Sequence, residues 1–354
     1  MHPMSGASSL QEVIHNRLKS GDLSFRDYVE LALYHPDFGY YRQGRSPVGK
    51  EADFVTSPSL SPVFSLALGR LVREFLSCAG GAVSQIVDVG AGSGELVGAL
   101  RREVPEANVT GVERGEPIPQ ADLVISNELF DAQPFARLVQ RGVKLHELTV
   151  VERAGGEENG LDWGERVAAP QYVDYFADRG IVLDDGQFAD VSLDWSALYD
   201  EICRAVPHGL IVTFDYGYPQ ETLFRSRMRR YGTAAAYAQQ RVSRDLLANP
   251  GRQDLTAHIN FTDLIRVGER NGFTTLFFDR QAKFLLALGV TEHELFRPID
   301  EISAESLAAG VDLLDRRDEA RRLVLPDGIG EEIRVLVQGK DVPESGWMFQ
   351  RKLF

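Results

Sequence analysis

The sequence predicts an α/β fold, a mostly parallel sheet with helices on both faces. Three observations carry this expectation. Short apolar runs alternate with amphipathic stretches from residue 85 onward. The first run ends in a glycine loop, VDVGAGSG (87–94), that opens the next amphipathic stretch. The third run, DLVISNEL (122–129), is apolar until it delivers Asn127, Glu128 and, two residues after its end, Asp131.

The elements follow in order. Leu10, Val13, Ile14 and Leu18 stand at helical spacing and predict a helix over 9–20. A second helix over 24–34 opens with a cap at Ser24. Residues 35–62, rich in Gly and Pro with Phe38, Tyr40, Tyr41 and Phe54, predict a long structured loop, and a helix follows at 63–80. Then come a strand (85–90), a helix (94–104) with Leu96, Val97 and Leu100 on one face, and strands at 108–114 and 122–129. Two β-rich runs in 136–151 flank Arg141-Gly142 and predict a hairpin. A helix (194–206), a strand (209–217), a helix (262–272) stopped at Gly272 and strands at 273–279 and 332–339 complete the alternation. Residues 281–325 look helical and break the last crossover. The expected organisation is an N-terminal helical and loop region (1–80) covering a cofactor cleft, then a core (81–280) with insertions at about 135–190 and 218–260. A C-terminal part (281–354) completes the sheet.

One interval is too short for its place. Only RGEPIPQA (114–121) separates the second strand from the third run. A helix plus a strand takes roughly 20 residues, and Pro117 and Pro119 forbid a helix here. The usual third strand and the helix before it are therefore expected to be missing, with the strand at 108–114 becoming a sheet edge.

The glycine loop has the form that lets a cofactor lie against backbone and a helix N-terminus, where a Cβ would clash. Gly90, Gly92 and Gly94 follow Asp88, and Glu113 ends the second strand, where an acid accepts ribose hydroxyls. The spacing is G-x-G-x-G, against the G-x-G-x-x-G of dinucleotide sites. VDVGAGSG thus resembles motif I of the Rossmann-like class I S-adenosyl-L-methionine-dependent methyltransferases. A nicotinamide site and a merely structural turn stay open at this point. The cluster SNELFDAQP (126–134) falls where amino-methylating members of that class place their acceptor residues. Two acids there suit a guanidinium, whose planar fork of N–H donors matches carboxylates. The alternative is structural, with Asp131 capping a helix and Glu128 pairing with Arg137.

Bulk composition sets bounds. A net charge of −14 repels a polyphosphate, so nucleic acid is excluded as a partner. Cys78 and Cys203 stand far apart, giving neither a metal spacing nor a disulfide framework. No apolar run reaches the ~18 residues of a membrane span. The start MHPMSGASSL lacks a basic region followed by an apolar core, so a cytoplasmic protein is expected.

Seven blocks in order complete the picture: FRDYVELALYHPDFGYY (25–41), ADFVTSPSLSPVFSLALG (52–69), SNELFDAQP (126–134), FDYGYP (214–219), GTAAAY (232–237), DLTAHINF (254–261) and QAKFLLALG (281–289). With them the chain resembles the MidA-like methyltransferases, a family that includes a mitochondrial complex I assembly factor. The resemblance implies an N-terminal region folded over an S-adenosyl-L-methionine site and methylation of an arginine on a protein partner, of the complex I subunit type. It also implies that Tyr41, Asp53, Phe54, Thr56, Ser57 and Pro58 line the cofactor cleft, that Asp215 ends the fifth strand, and that His258 lies near the target pocket. The candidate catalytic set is Asn127, Glu128, Asp131 and His258. The candidate cofactor set is Asp88, Gly90, Gly92, Gly94, Glu113, Asp53, Ser57, Pro58 and Asn127, with no metal. Departures stand at Ala52, Ser59, Leu66 and Asn260, where the family usually carries Gly, Glu, Glu and Asp. Two other readings stay open: a catalytically decayed assembly or interaction protein of this fold, and a small-amine methyltransferase. A homodimer is left open as well.

Overall fold

The computed structural model describes residues 8–42, 61–78, 84–154, 160–225, 227–239, 241–298 and 311–351. Helices α1 (Leu10–Leu18) and α2 (Phe25–Tyr34) are capped by serines, Ser9 accepting from the Glu12 amide and Ser24 from the Asp27 amide. The two-residue strand β1 (Leu23–Ser24) lies between them, and α3 (Pro62–Cys78) follows.

The alternating part runs β2 (Gln85–Val89), α4 (Glu95–Glu103), β3 (Asn108–Val112) and β4 (Leu123–Asn127). The first insertion holds β5 (Ala136–Arg141), β6 (Lys144–Glu152), β7 (Leu161–Val167), α5 (Pro170–Asp178) and β8 (Phe188–Val191). Then come α6 (Asp194–Ala205), β9 (Gly209–Tyr218) and α7 (Gln220–Arg225). A small unit of β10 (Ala235–Ala238), β11 (Arg241–Ser243) and β12 (Asp254–Thr256) precedes β13 (Ile259–Asn260), α8 (Phe261–Arg270) and β14 (Thr274–Arg280). Helices α9 (Gln281–Ala287), α10 (Val311–Arg322) and α11 (Ile329–Glu332) lead into β15 (Ile333–Lys340).

The main sheet has the order β14-β15-β9-β4-β2-β3, with β13 on β9. Strands β3, β2, β4 and β9 are parallel, as their alternation with helices requires. β15 runs antiparallel to both β9 and β14, so the sheet is mixed and the expectation of a mostly parallel one is corrected. The reason is the connection: Arg280 pairs in register with Arg334, so the helices between β14 and β15 return the chain to the end it left.

The short interval behaves as its prolines require. Residues 113–122 contain turn and coil only, and β3 closes the sheet as an edge strand. One face of the sheet packs on α3, with the Phe64 and Phe214 rings 5.2 Å apart. The other face buries Trp195, Tyr199 and Leu264 from α6 and α8. The hairpin predicted in 136–151 forms, but within an antiparallel sheet of order β1-β6-β5-β8 with β7 on β6. Leu23 and Ser24 of β1 pair with Val150 and Thr149, which ties the N-terminal helices to the insertion.

Candidate active site

The first half of the site lies at the C-terminal ends of β2 and β3. Gly92 and Gly94 take φ of 54° and 74°, and a Cβ on either would meet nothing within 4 Å. Their loop is thus a left-handed turn open on its outer side. Gly90 is hemmed instead, a Cβ there lying 2.8 Å from Leu129 Cδ1. Asp88 is buried beneath the loop, and its burial, then the neighbouring Glu113, push its carboxyl up to about 7. Burial raises Glu113 as well, while the Gly92 amide, which donates to its carboxylate, and the charge of Arg42 draw it back.

The second half is the loop after β4. Glu128 sits at φ 52°, a left-handed conformation costly for a residue with a side chain. Its amide donates to Phe214 O at 2.9 Å. The loop beyond is held from several sides. The Asp215 carboxylate accepts the Phe130 amide at 2.7 Å and its neighbour Tyr216's at 2.8 Å, together with the amides of Leu129 and Asp131. Trp195 Nε1 donates to Phe130 O at 2.6 Å, Tyr34 OH to Ala132 O at 3.0 Å, and Gln133 Nε2 to Leu129 O at 2.8 Å. Arg114, next to Glu113, grips both oxygens of Glu30 at 3.1 and 2.9 Å. It also donates to Gln133 Oε1 at 3.1 Å and stacks on Tyr34.

This framework gathers carboxylates. Asp131 is 5% exposed, and its pKa is held well above the usual range by burial first, then by Asp215, Glu128 and Asp254. Asp215, fully buried, is raised to about 7 by burial against the pull of its amide donors. Those donors favour charge on Asp215 and oppose the effect of its burial. The two acids differ in setting: Glu128 is half-buried, whereas Asp131 is buried and its carboxyl is held well above the usual range. Arg137 pairs with Asp190 at 2.8 Å, and Asp131 caps no helix among the described residues. Asn127 Nδ2 donates to Glu128 Oε1 at 3.1 Å, while its Oδ1 is buried with no partner.

The remaining candidates divide. Asp53, Ser57 and Pro58, with Phe54 and Thr56, lie outside the described residues. Tyr41, expected along the cofactor cleft, donates its hydroxyl to Asp254 at 3.0 Å and so belongs to the acid cluster. His258 has an orphaned Nδ1, stacks near Tyr216 and Tyr218, and is pushed down to about 4 by burial and then by Arg229, Arg244 and Arg334. It is neutral and faces arginines, not acids. Sequence reasoning missed Asp254, Tyr34 and Arg114, and left the clamp made by Asp215 undecided between a turn and a substrate contact. DLTAHINF had flagged the segment of Asp254, but nothing in it distinguished that residue.

The two halves fit an adenosyl-amino-acid cofactor. The open glycine turn admits it, Glu113 can accept ribose hydroxyls, and the orphaned Asn127 Oδ1 supplies a buried acceptor for an ammonium. Residues 104–278 match a family model described as S-adenosyl-L-methionine-dependent methyltransferase. The bovine protein arginine methyltransferase NDUFAF7, mitochondrial, is 33% identical over 94 residues, which are 26% of this chain and 21% of that protein. The chain therefore aligns with only about a fifth of this relative's length. The Drosophila melanogaster homologue is 24% identical over 326 residues, covering 76% of this chain and 72% of that protein. Among solved structures, a Burkholderia thailandensis protein bound to S-adenosyl-homocysteine superposes with a TM-score of 0.83. It shares 25% sequence identity and covers 99% of this chain and 98% of its own. The NDUFAF7 relatives are named mitochondrial, which overturns the expected cytoplasmic location. At its glycine turn and Asn127 loop, as in its sequence, the chain is thus similar to S-adenosyl-L-methionine-dependent methyltransferases of the MidA-like type.

Proposed function

We propose that this chain methylates an arginine side chain of a protein substrate. The observation that carries the reading is the carboxylate cluster of Glu128, Asp131, Asp215 and Asp254, built beside the glycine turn through the contact of Gly90 with Leu129. S-adenosyl-L-methionine, when bound, supplies a methyl group made electrophilic by its sulfonium. The chain's own residues supply the rest. Glu128, held through Asn127 Nδ2, accepts N–H groups of the guanidinium and fixes which nitrogen points at the methyl. An arriving cation releases the shared proton of the Asp131–Asp215 pair to solvent, and the carboxylate left on Asp131 is basic because it is buried. Asp131 then takes the proton that the methylated nitrogen releases. Asp215 acts as a positioning residue, since its oxygens are occupied by loop amides. The names of the NDUFAF7 relatives support arginine as the acceptor.

A second reading rests on one observation. Residues 113–122 build no element beside β3, so the adenine side lacks a wall of secondary structure, which suits a catalytically decayed binding protein. Calorimetry with S-adenosyl-L-methionine and S-adenosyl-homocysteine separates the two. Binding is expected, and no heat at millimolar cofactor would leave only the second. Transfer of radiolabelled methyl into a cell lysate, followed by acid hydrolysis, should then yield methylarginine in the protein fraction. Label found only in small molecules would exclude a protein acceptor.

A further inference from the structure

A few residues along β9 from the acid cluster, the charge reverses. Tyr218 lies three residues after Asp215, and Arg229 and Arg334 place their guanidinium carbons 3.7 and 5.2 Å from its ring centroid. The His258 ring is 5.5 Å from Tyr218 and 6.4 Å from Tyr216. Its Nδ1 is shut off from solvent without a partner. Arg244 donates to Ala234 O at 2.7 Å and adds a third positive charge felt at His258. Among the described residues none of these three arginines is ion-paired. The acids whose field reaches Arg334 are engaged elsewhere, Glu331 by Arg280 and Asp279 by Lys283. In a chain of net charge −14, three guanidiniums are gathered at one tyrosine–histidine stack, where the field of Glu332 also reaches Tyr216.

Such a group repels itself until an anion joins it. A planar guanidinium stacked on an aromatic ring is preset to grip a carboxylate through two N–H donors. Tyr216 joins the two poles, since its hydroxyl feels Glu128 and Asp131 while its ring stacks with His258. From Asp215 to Tyr218 the strand advances about 10 Å, a span that an extended peptide covers in about three residues.

We propose that Arg229 and Arg334, with Arg244, bind a substrate carboxylate, so that the methyl-accepting arginine is one with an acidic residue within about three positions. The inference rests on the arginine-methylation reading and narrows it to a substrate class: a dipolar peptide whose cation enters the acid cluster and whose anion sits over Tyr218.

The test uses the full chain and fluorescent synthetic peptides. Each peptide carries one central arginine and Glu, Gln or Lys at one of the three positions on either side. Affinity is read by fluorescence polarisation with S-adenosyl-homocysteine present, and turnover by radiolabel. At one position at least, the Glu peptide should bind about tenfold tighter than its Gln counterpart, the worth of one charge-assisted contact. The double variant Arg229→Gln/Arg244→Gln, and separately Arg334→Gln on another strand, should lose that preference while keeping affinity for S-adenosyl-homocysteine. Equal binding of Glu and Gln peptides by the wild type would overturn the proposal, as would a Glu preference that persists in both variants. Free L-arginine competing as well as the Glu peptide would put the carboxylate on a small molecule and overturn the peptide assignment. A Glu preference in binding with no turnover on any peptide would support the anion site and count only against methyl transfer.

Discussion

The loop 127–134 and the segment 113–122 leave the two strands that flank β2, and they are built in opposite ways. The first is fastened by three of its amides on Asp215 and by Trp195, Tyr34 and Gln133. The second is coil, tied at its start by Arg114 and at its end by the Ala121 and Asp122 amides, which donate to Ala205 O and Gln85 O at 2.9 Å each. The loop can therefore hold carboxylates in a fixed relation to one another, at the expense of strain at Glu128 and of a buried, partly protonated acid pair. The segment presents Glu113 and little else, leaving the cofactor's own groups to complete that side. Rigidity is concentrated where the charge of the acceptor must be met.

Mutations can break this contrast, and the largest effect belongs at the loop. Asp131→Asn should lower turnover about 10²–10³-fold while changing S-adenosyl-homocysteine affinity little, measured by radiolabel kinetics and calorimetry on the same protein. A variant retaining full turnover would make Asp131 a packing residue. Asp215→Ala strands several buried amides and should cost about 3 kcal/mol of stability in denaturant unfolding. A loss of only a few tenths would show that the loop is held by its other contacts.

The titration of the buried acids gives a smaller effect. Asp88 and Asp215 both lie near 7 against 3.8 for a free aspartate. The folded state keeps protons that the unfolded chain releases above about pH 4, so stability is full below that point and falls as pH rises toward 7. Asp88→Asn should flatten that fall in the unliganded protein by up to about 1.4 kcal/mol per pH unit, one proton's worth. An unchanged slope would mean that Asp88 is ionised throughout. The smallest effect is at Glu128. Glu128→Gly removes a left-handed side chain and should raise stability by about 1 kcal/mol while lowering turnover. A loss of stability there would mean that the carboxylate's contacts outweigh the backbone strain.

How far the sequence reveals this arrangement depends on how local each device is. The alternation, the glycine turn and the missing third strand are written in adjacent residues, and Pro117 and Pro119 were enough to deny a helix. The Asp215 clamp is invisible in that sense, because its partner Phe130 lies 85 residues away and offers only a backbone amide. Arg114 and Glu30 meet across 84 residues, and the arginines around Tyr218 come from three separate segments. Strand β7 was missed for another reason: LDWGERV leaves most of its positions at least partly exposed, so no alternation of apolar and polar residues marks it. The direction of β15 was missed because parallel and antiparallel buried strands share one apolar pattern.

Glu113 and Arg114 are consecutive, yet one faces the glycine turn and the other props the acceptor loop through Gln133. A single peptide link thus couples the donor's seat to the acceptor's. Whatever shifts the acid when nucleoside hydroxyls displace the Gly92 amide is felt one residue later at the strut beneath Ala132 and Gln133. On the proposed reading the two co-substrates are expected to be thermodynamically linked, each altering the other's affinity by the same factor. Titrating S-adenosyl-homocysteine with and without a saturating arginine peptide reads that factor directly. A value of one would mean that the strut transmits nothing.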